Sequence, residues 1–255
     1  MFSFDTPHWV DALPSTNTAL VAHLRGDPQA WPAGTVLAAR QQTAGRGRLE
    51  RSWLSAPGRD LTFSFVVDVD AAVDRASPGS LPLATALGVV DWLDSLGLVA
   101  GIKWPNDVRT ARGKICGILA EQAARGCVVV GVGLNITAGA AAGLDRAATS
   151  VAAECGCELA PEEALRRLLP HVEPRLRVWL QGGFAALRDA CRDRAVWVGD
   201  EICVDGAAGS CTGILEGFGP EGELLLRGAD GRLLPVWSGD VERVRRARDD
   251  RQFNG

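Results

Sequence analysis

The chain has 255 residues, with 27 Lys and Arg against 31 Asp and Glu for a formal charge of −4, and 47% of it is hydrophobic. That size and composition describe an ordinary globular protein, which buries roughly three quarters of its unfolded surface and needs no cross-links to hold a core. The acidic balance argues against a general nucleic-acid or membrane-surface binder; no apolar run reaches membrane-spanning length, and the N-terminus lacks a signal-peptide pattern.

In chain order, Ser15-Thr16-Asn17 ahead of Ala19, Leu20, Val21 and Leu24 predicts a capped, short amphipathic helix stopping near Gly26. Thr35 to Ala39 and Leu61 to Val67 read as strands. Between them lies a long polar stretch, 41–60, rich in Gly and Arg. A loop of that length inside a domain is usually functional. Leu83, Leu87, Val90 and Leu93 recur at helical spacing, which predicts a helix from Pro82 to Leu96 with Gly97 as its stop. Ile102-Lys103-Trp104 and Lys114 to Glu121 read as strands, with turns at Pro105-Asn106-Asp107 and Arg112-Gly113. Val128 to Leu134 is an apolar, glycine-punctuated buried strand, and 161–194 reads as helical, broken at Pro170, Pro174 and Gly182-Gly183. Beyond Ala195 come five short strand-like runs, at 196–198, 201–204, 211–215, 223–226 and 233–237. Their spacing suggests a small β-barrel. The predicted division is 1–195, 196–248 and a tail at 249–255, with the basic run Arg243 to Arg248 read as solvated.

The seven cysteines are scattered and the three histidines (His8, His23, His171) lie far from them, so neither a structural zinc nor a disulfide framework is expected, and a reducing compartment is. Only two of the 27 basic residues are lysines, Lys103 and Lys114, and both fall in one short segment. That marks the segment for attention.

Gln41-Gln42-Thr43-Ala44-Gly45-Arg46-Gly47-Arg48 joins glycines, which let a ligand approach backbone N–H groups, to two guanidinium forks suited to phosphate or carboxylate. It is neither a Walker loop nor a dinucleotide fingerprint. On its own it fits a solvated loop as well as an anion site. Lys103-Trp104-Pro105-Asn106-Asp107 puts an amide and a carboxylate at a turn, where a plain Asx-turn is the commoner outcome. Lys114, opening an apolar strand, suits either an anion contact or edge protection. Asn135 ends a strand in Gly131-Val132-Gly133-Leu134-Asn135, whose glycines suit tight packing.

These segments in this order, with Pro14-Ser15-Thr16-Asn17 ahead of them, resemble the biotin–protein ligase family over nearly the whole chain. The signatures are Ser-Thr-Asn, Gln-Thr-Ala-Gly-Arg-Gly-Arg, Lys-Trp-Pro-Asn-Asp, Gly-Lys-Ile-x-Gly-Ile-Leu-x-Glu and Gly-x-Gly-Leu-Asn. Each is soft alone; five in register are specific. The resemblance implies an α+β fold: a mixed β-sheet catalytic domain flanked by helices, class II synthetase-like or SH2-like, then a small SH3-like β-barrel. It implies a cytoplasmic ligase using ATP and Mg²⁺, forming biotinyl-5′-AMP from biotin and passing biotin to a lysine of a biotin carboxyl carrier protein. A homodimer is a further implication, and neither DNA nor membrane is an expected partner.

By the same resemblance Ser15, Thr16, Asn17 and Gln42 would contact biotin. Arg46, Gly47 and Arg48 would close over biotin and nucleotide, and Trp53, Asn106, Asp107 and Asn135 would meet the nucleotide, Asp107 with its Mg²⁺. Lys114, with Arg48, would act on the carboxylate and α-phosphate. Where many relatives continue Arg-Gly-Arg after Gly-Arg-Gly-Arg, this chain has Leu49-Glu50-Arg51. With Ser-Thr-Asn beginning at residue 15, a monofunctional type without an N-terminal DNA-binding module is expected. Rival readings are a lipoate–protein ligase or octanoyl transferase, and a non-catalytic biotin-responsive regulator or binding module. The Gly-Arg-Gly-Arg and Lys-Trp-Pro-Asn-Asp segments favour biotin, and the retained lysine and arginines favour an enzyme.

Overall fold

The computed structural model describes residues 1–27, 29–70, 77–124, 126–137, 148–206 and 209–244. Ser15 stands in extended backbone (φ −159°, ψ 132°) and its hydroxyl accepts the Thr18 N–H, which starts α1 (Thr16–Gly26) as the sequence predicts. The helix lies on a seven-stranded sheet of order β1-β2-β3-β7-β6-β5-β4. β1 (His8–Leu13) runs parallel to β2 (Val36–Gln42). The other neighbours are antiparallel: β3 (Leu61–Asp68), β4 (Gly101–Lys103), β5 (Asp107–Arg109), β6 (Lys114–Ala124) and β7 (Cys127–Leu134). The sheet is therefore mixed.

Alternation along the strands divides the core. Phe63, Phe65, Val67, Val128 and Val130 face the cluster built with α2 (Leu81–Ser95) and α4 (Pro161–Gly182). Val66 and Val129 point the other way, onto Leu20 and Leu24 of α1. Helices cover both faces, which is why these strands read as continuous apolar runs rather than alternating ones.

Three expectations for the first 195 residues change. α4 runs unbroken through Pro170 and Pro174. Both prolines, and Arg166 four residues before the first, are exposed, so the carbonyls that lose an N–H partner meet water while Leu165, Leu168, Leu169, Val172 and Leu176 stay in the core. Asp107 is not only a turn residue but the first residue of β5, beyond a cis Trp104–Pro105 bond. Cys155 and Cys157 are joined in a disulfide at the end of α3 (Val151–Cys155), where free thiols were expected. It closes a very short loop and makes no framework.

After α5 (Arg188–Asp193), the chain forms a second, wholly antiparallel sheet of order β11-β10-β9-β8-β12. Its strands are β8 (Glu201–Gly206), β9 (Gly209–Phe218), β10 (Leu224–Arg227), β11 (Leu233–Val236) and β12 (Asp240–Arg243). The run 196–198 is not a strand; Trp197 takes a left-handed φ of 68° there. The fifth strand is instead β12, which enters the basic stretch read as a solvated tail, because Asp240 to Arg243 pair with Asp205 to Ile202 of β8. Residues 245–248 of that stretch lie outside the described residues. The two sheets meet where Trp104 Nε1 donates to Gly222 O at 2.9 Å. Among the described residues no helix is long and apolar enough to cross a membrane.

Candidate active site

A cleft opens where the N-terminus of α1, the 45–53 loop, the β4–β5 hairpin and the ends of β6 and β7 converge. At one end the Ser-Thr-Asn segment is fixed by hydrogen bonds. Gln42 Oε1, at the end of β2, accepts from Thr16 N–H at 2.7 Å and from Thr16 Oγ1 at 3.1 Å. Ser64 Oγ on β3 lies 2.6 Å from both Thr16 Oγ1 and Asn17 Oδ1. Asn17 Nδ2 donates to Leu119 O at 3.1 Å and to Glu121 Oε2 at 2.8 Å, both on β6. The amide orientation of Asn17 is thus set from two sides.

The Gly-Arg loop folds into a tight hairpin. Trp53 N–H donates to Gly45 O at 2.9 Å, Gly47 N–H to Arg51 O at 2.7 Å and Arg51 N–H to Arg48 O at 3.2 Å. Leu49 and Glu50 at its tip both have positive φ, 54° and 57°. Its far end is anchored by Asp60, a buried carboxylate whose Oδ1 accepts Ile136 and Thr137 N–H at 3.0 and 3.1 Å. Each loop arginine reaches a different wall: Arg46 pairs with Glu121 Oε1 at 2.9 Å, Arg48 Nη1 donates to Asn106 Oδ1 at 3.3 Å, and Arg51 pairs with Asp240 of β12. Burial holds the Arg48 pKa below its ordinary value, with Asp240 and Asp107 opposing and Arg51 adding to the shift.

Asn106 is held in turn by its Nδ2, which donates to Ile118 O at 2.7 Å. Lys114, the first residue of β6, reaches along the strand over Gly117 so that Nζ stands 2.6 Å from Asp107 Oδ1 and 5.4 Å from the Trp53 ring centroid. The contact with Asp107 is one of charge, since Oδ1 receives no hydrogen bond of good angle among the described residues. Trp53 lies on the sheet itself. A Cβ on Gly133 would stand 2.2 Å from Trp53 Cε2, and one on Gly117 would stand 2.8 Å from Trp53 Cζ3. A Cβ on Gly131 would come 2.2 Å from Asn17 Oδ1. The glycines of β6 and β7 make the floor on which Asn17 and Trp53 rest.

Five basic residues, Arg46, Arg48, Arg51, Lys103 and Lys114, line the cleft against Asp107 and Asp240. A chain of net charge −4 therefore gathers positive charge here, and both of its lysines are in it. The arrangement suits an elongated ligand with a polar, uncharged end at Ser15, Thr16 and Gln42 and an anionic centre at Lys114 and Arg48.

Residues 9–135 match the biotin/lipoate A/B protein ligase family. Over 209 residues the chain is 37% identical to a biotin–[acetyl-CoA-carboxylase] ligase of Paracoccus denitrificans, spanning 76% of this chain and 84% of the relative. It is 36% identical over 237 residues to the ligase of the same name from Mycobacterium tuberculosis, spanning 91% of this chain and 86% of that one. The chain belongs to the biotin–protein ligase family. Among solved structures, a biotin protein ligase from Aquifex aeolicus in complex with biotin and ATP superposes with a TM-score of 0.81 at 27% identity, covering 95% of this chain and 100% of that one.

Of the ligase residues expected from sequence, Ser15, Thr16, Asn17, Gln42, Arg46, Gly47, Arg48, Trp53, Asn106, Asp107 and Lys114 all line the one cleft. Asn135 does not. Its side chain is buried, with Nδ2 donating to Thr149 O at 2.9 Å, so it ties the end of β7 to the 148–150 segment instead of facing a ligand. Sequence reasoning missed Ser64, Glu121 and Asp240. Glu121 closes the Gly-Lys-Ile-x-Gly-Ile-Leu-x-Glu signature and was visible as a carboxylate in an apolar strand; Ser64 and Asp240 carried no local signal.

Proposed function

We propose that this chain is an ATP-dependent biotin–protein ligase that forms biotinyl-5′-AMP and then transfers biotin to a lysine of a biotin carboxyl carrier protein. The observation that carries the reading is the position of Lys114: its ammonium lies in the same cleft as the Arg48 loop and the Ser15–Gln42 end, beside Asp107 and over the Trp53 ring.

A carboxylate is a poor electrophile, so it must first be activated. The biotin carboxylate attacks the α-phosphate of ATP, the bond to the β-phosphate breaks, and pyrophosphate leaves. Two anions have to be brought together, and Lys114 and Arg48 supply the opposing charge. Each charge-assisted hydrogen bond contributes about 1.5–3 kcal/mol, so a few account for several orders of magnitude in rate. Ser15, Thr16, Asn17 and Gln42 hold the biotin ring system, while Trp53, Asn106 and Asp107 meet the nucleotide. Among the described residues no cluster of three metal-ligating side chains exists. A single carboxylate fits a Mg²⁺ that arrives on ATP, since that ion is usually held by one or two carboxylates plus substrate phosphates. Asp107, whose carboxylate lines the cleft beside Lys114, is the residue that would hold it. Bound there, the ion would neutralise phosphate charge.

In the second step a neutral carrier lysine attacks the acyl carbon and AMP leaves. Until then the mixed anhydride must be kept from water, which is the task of the 45–52 loop. We further propose a domain boundary near residue 195, a C-terminal sheet of the SH3-like kind, and a cytoplasmic location, where the ATP and the carrier would be found. The reading is tested by incubating the protein with biotin, ATP, Mg²⁺ and a carrier domain and weighing the carrier. The carrier gains the mass of one biotinyl group; a carrier of unchanged mass overturns the assignment.

A further inference from the structure

Arg51 lies past Arg46 and Arg48, the loop arginines placed on the ligand, and its side chain pairs with the second sheet. The Arg46 and Arg48 tethers, to Glu121 and Asn106, stay within the seven-stranded sheet and its hairpin. The third tether crosses to β12, where Asp240 and its neighbour Val241 also line the cleft. Because Arg51 N–H donates to Arg48 O and Gly47 N–H donates to Arg51 O, Arg51 cannot move without moving Arg48.

We infer that Asp240 is a positioning residue of the ligase reaction: through Arg51 it holds the 45–52 loop over the cleft, so the second sheet governs how long the acyl-adenylate is retained. The inference rests on the ligase reading given above. Asp240 is itself well placed to hold. β12 pairs with β8 from Asp240 onward, and Gly239 (φ 150°) lets the strand approach so closely that a Cβ there would stand 2.5 Å from Val204 Cγ1. Arg48 and Arg51 sit three residues apart in one tight hairpin, where like charges repel, and Asp240 offsets that repulsion for both. The Arg51 side chain is 51% exposed, so the pair adds little to global stability. A loop whose open and closed forms are close in free energy responds to the same small term by a severalfold change in population.

The test uses the intact chain with biotin and ATP–Mg²⁺ and no carrier, following biotinyl-adenylate released into solution. Asp240→Asn and Arg51→Gln are each expected to raise the release rate about fivefold, and the charge-swapped pair Arg51→Asp with Asp240→Arg to return it toward the parent value. Release from the parent is expected to rise with salt, as screening weakens an exposed pair, and release from Asp240→Asn to respond less. Faster trypsin cleavage after Arg46 and Arg48 in Asp240→Asn than in the parent reads the same tether without any chemistry. Parent-like release and parent-like trypsin protection in Asp240→Asn overturn the inference, as does a charge swap that leaks as much as the single variants. A parent that makes no biotinyl-adenylate overturns the ligase reading instead, and the trypsin comparison then decides the tether alone.

Discussion

Lys114 Nζ and Asp107 Oδ1, on the first residues of the antiparallel neighbours β6 and β5, stand 2.6 Å apart, in contact through charge rather than through a well-directed hydrogen bond. An ammonium held this way is kept in place yet remains able to swing onto an incoming phosphate or carboxylate. Lys114→Ala is expected to lower pyrophosphate formation by about 10²–10³-fold, the range seen when one preorganised charge donor is removed. Unfolding temperature should barely change, because the Lys114 side chain is 37% exposed and its ion pair is partly solvated. Near-parent pyrophosphate release in the variant would remove Lys114 from the chemistry.

Two glycines of β7 separate the ends of the site. At Gly131 an added methyl meets Asn17 Oδ1 at 2.2 Å, and at Gly133 it meets Trp53 Cε2 at 2.2 Å. Overpacking of this kind costs typically about 1–3 kcal/mol. Gly131→Ala should therefore raise the KM for biotin about tenfold or more with a smaller effect on ATP, and Gly133→Ala should do the reverse. Steady-state kinetics with each substrate varied in turn checks the split. Equal effects of both variants on both substrates would show that the floor acts as one unit.

Local chemistry was legible in the sequence and long-range chemistry was not. Ser15 caps α1 through its own neighbours, and the alternation of Phe65, Val66 and Val67 is an intrinsic property of a strand, so both elements were readable. β5 has three residues inside a run of turn formers, and β12 is the charged edge segment Asp-Val-Glu-Arg; neither offers an apolar period. The unbroken α4 depends on which side of the helix its prolines occupy, which the Pro positions alone do not state. The glycines of β7 correctly announced close packing, but not that Trp53 and Asn17 arrive from distant segments to use the space. Asn135 looked like a rim residue because it ends a strand; its burial follows from the 148–150 segment returning across it.

Glu50 bears on how the loop behaves. It sits at the hairpin tip with a left-handed φ of 57°. Left-handed backbone costs a non-glycine residue about 1–2 kcal/mol, while glycine adds roughly 0.5–1 kcal/mol of unfolded-chain entropy. The net gain of Glu50→Gly is small, about 0.5 kcal/mol, so adenylate escape should slow by about twofold. Arg48→Gly should act in the opposite sense and more strongly, since it deletes the guanidinium bonded to Asn106 Oδ1. Its adenylate should still form in part but escape about tenfold faster. Trapping of free adenylate in the two variants measures both; equal retention by parent and Arg48→Gly would rule out the containment role.

Alkaline stability offers a test of the core that is independent of catalysis. The chain contains no tyrosine and only two lysines, so few groups other than thiols titrate between neutrality and strong alkali. Cys191, fully buried, is pushed up to about 12 by burial, with Arg175 opposing and Asp91 reinforcing the shift. Burial drives the Cys116 thiol in the same direction. A thiol with a raised folded-state pKa stays protonated in the native protein while the unfolded chain, with an ordinary value near 9.0, releases its proton. Above that pH the unfolded state binds fewer protons, so stability must fall as pH rises, by up to about 1.4 kcal/mol per pH unit for one thiol. The loss begins near pH 9 and continues toward the folded-state value of about 12. Cys191→Ala is expected to flatten this decline although it lowers stability at neutral pH by leaving a small void. Urea midpoints of parent and variant at neutral pH and at intervals above pH 9 make the comparison. Parallel slopes would mean that Cys191 ionises as readily in the folded chain as in the unfolded one, against its burial beneath Leu83 and α2.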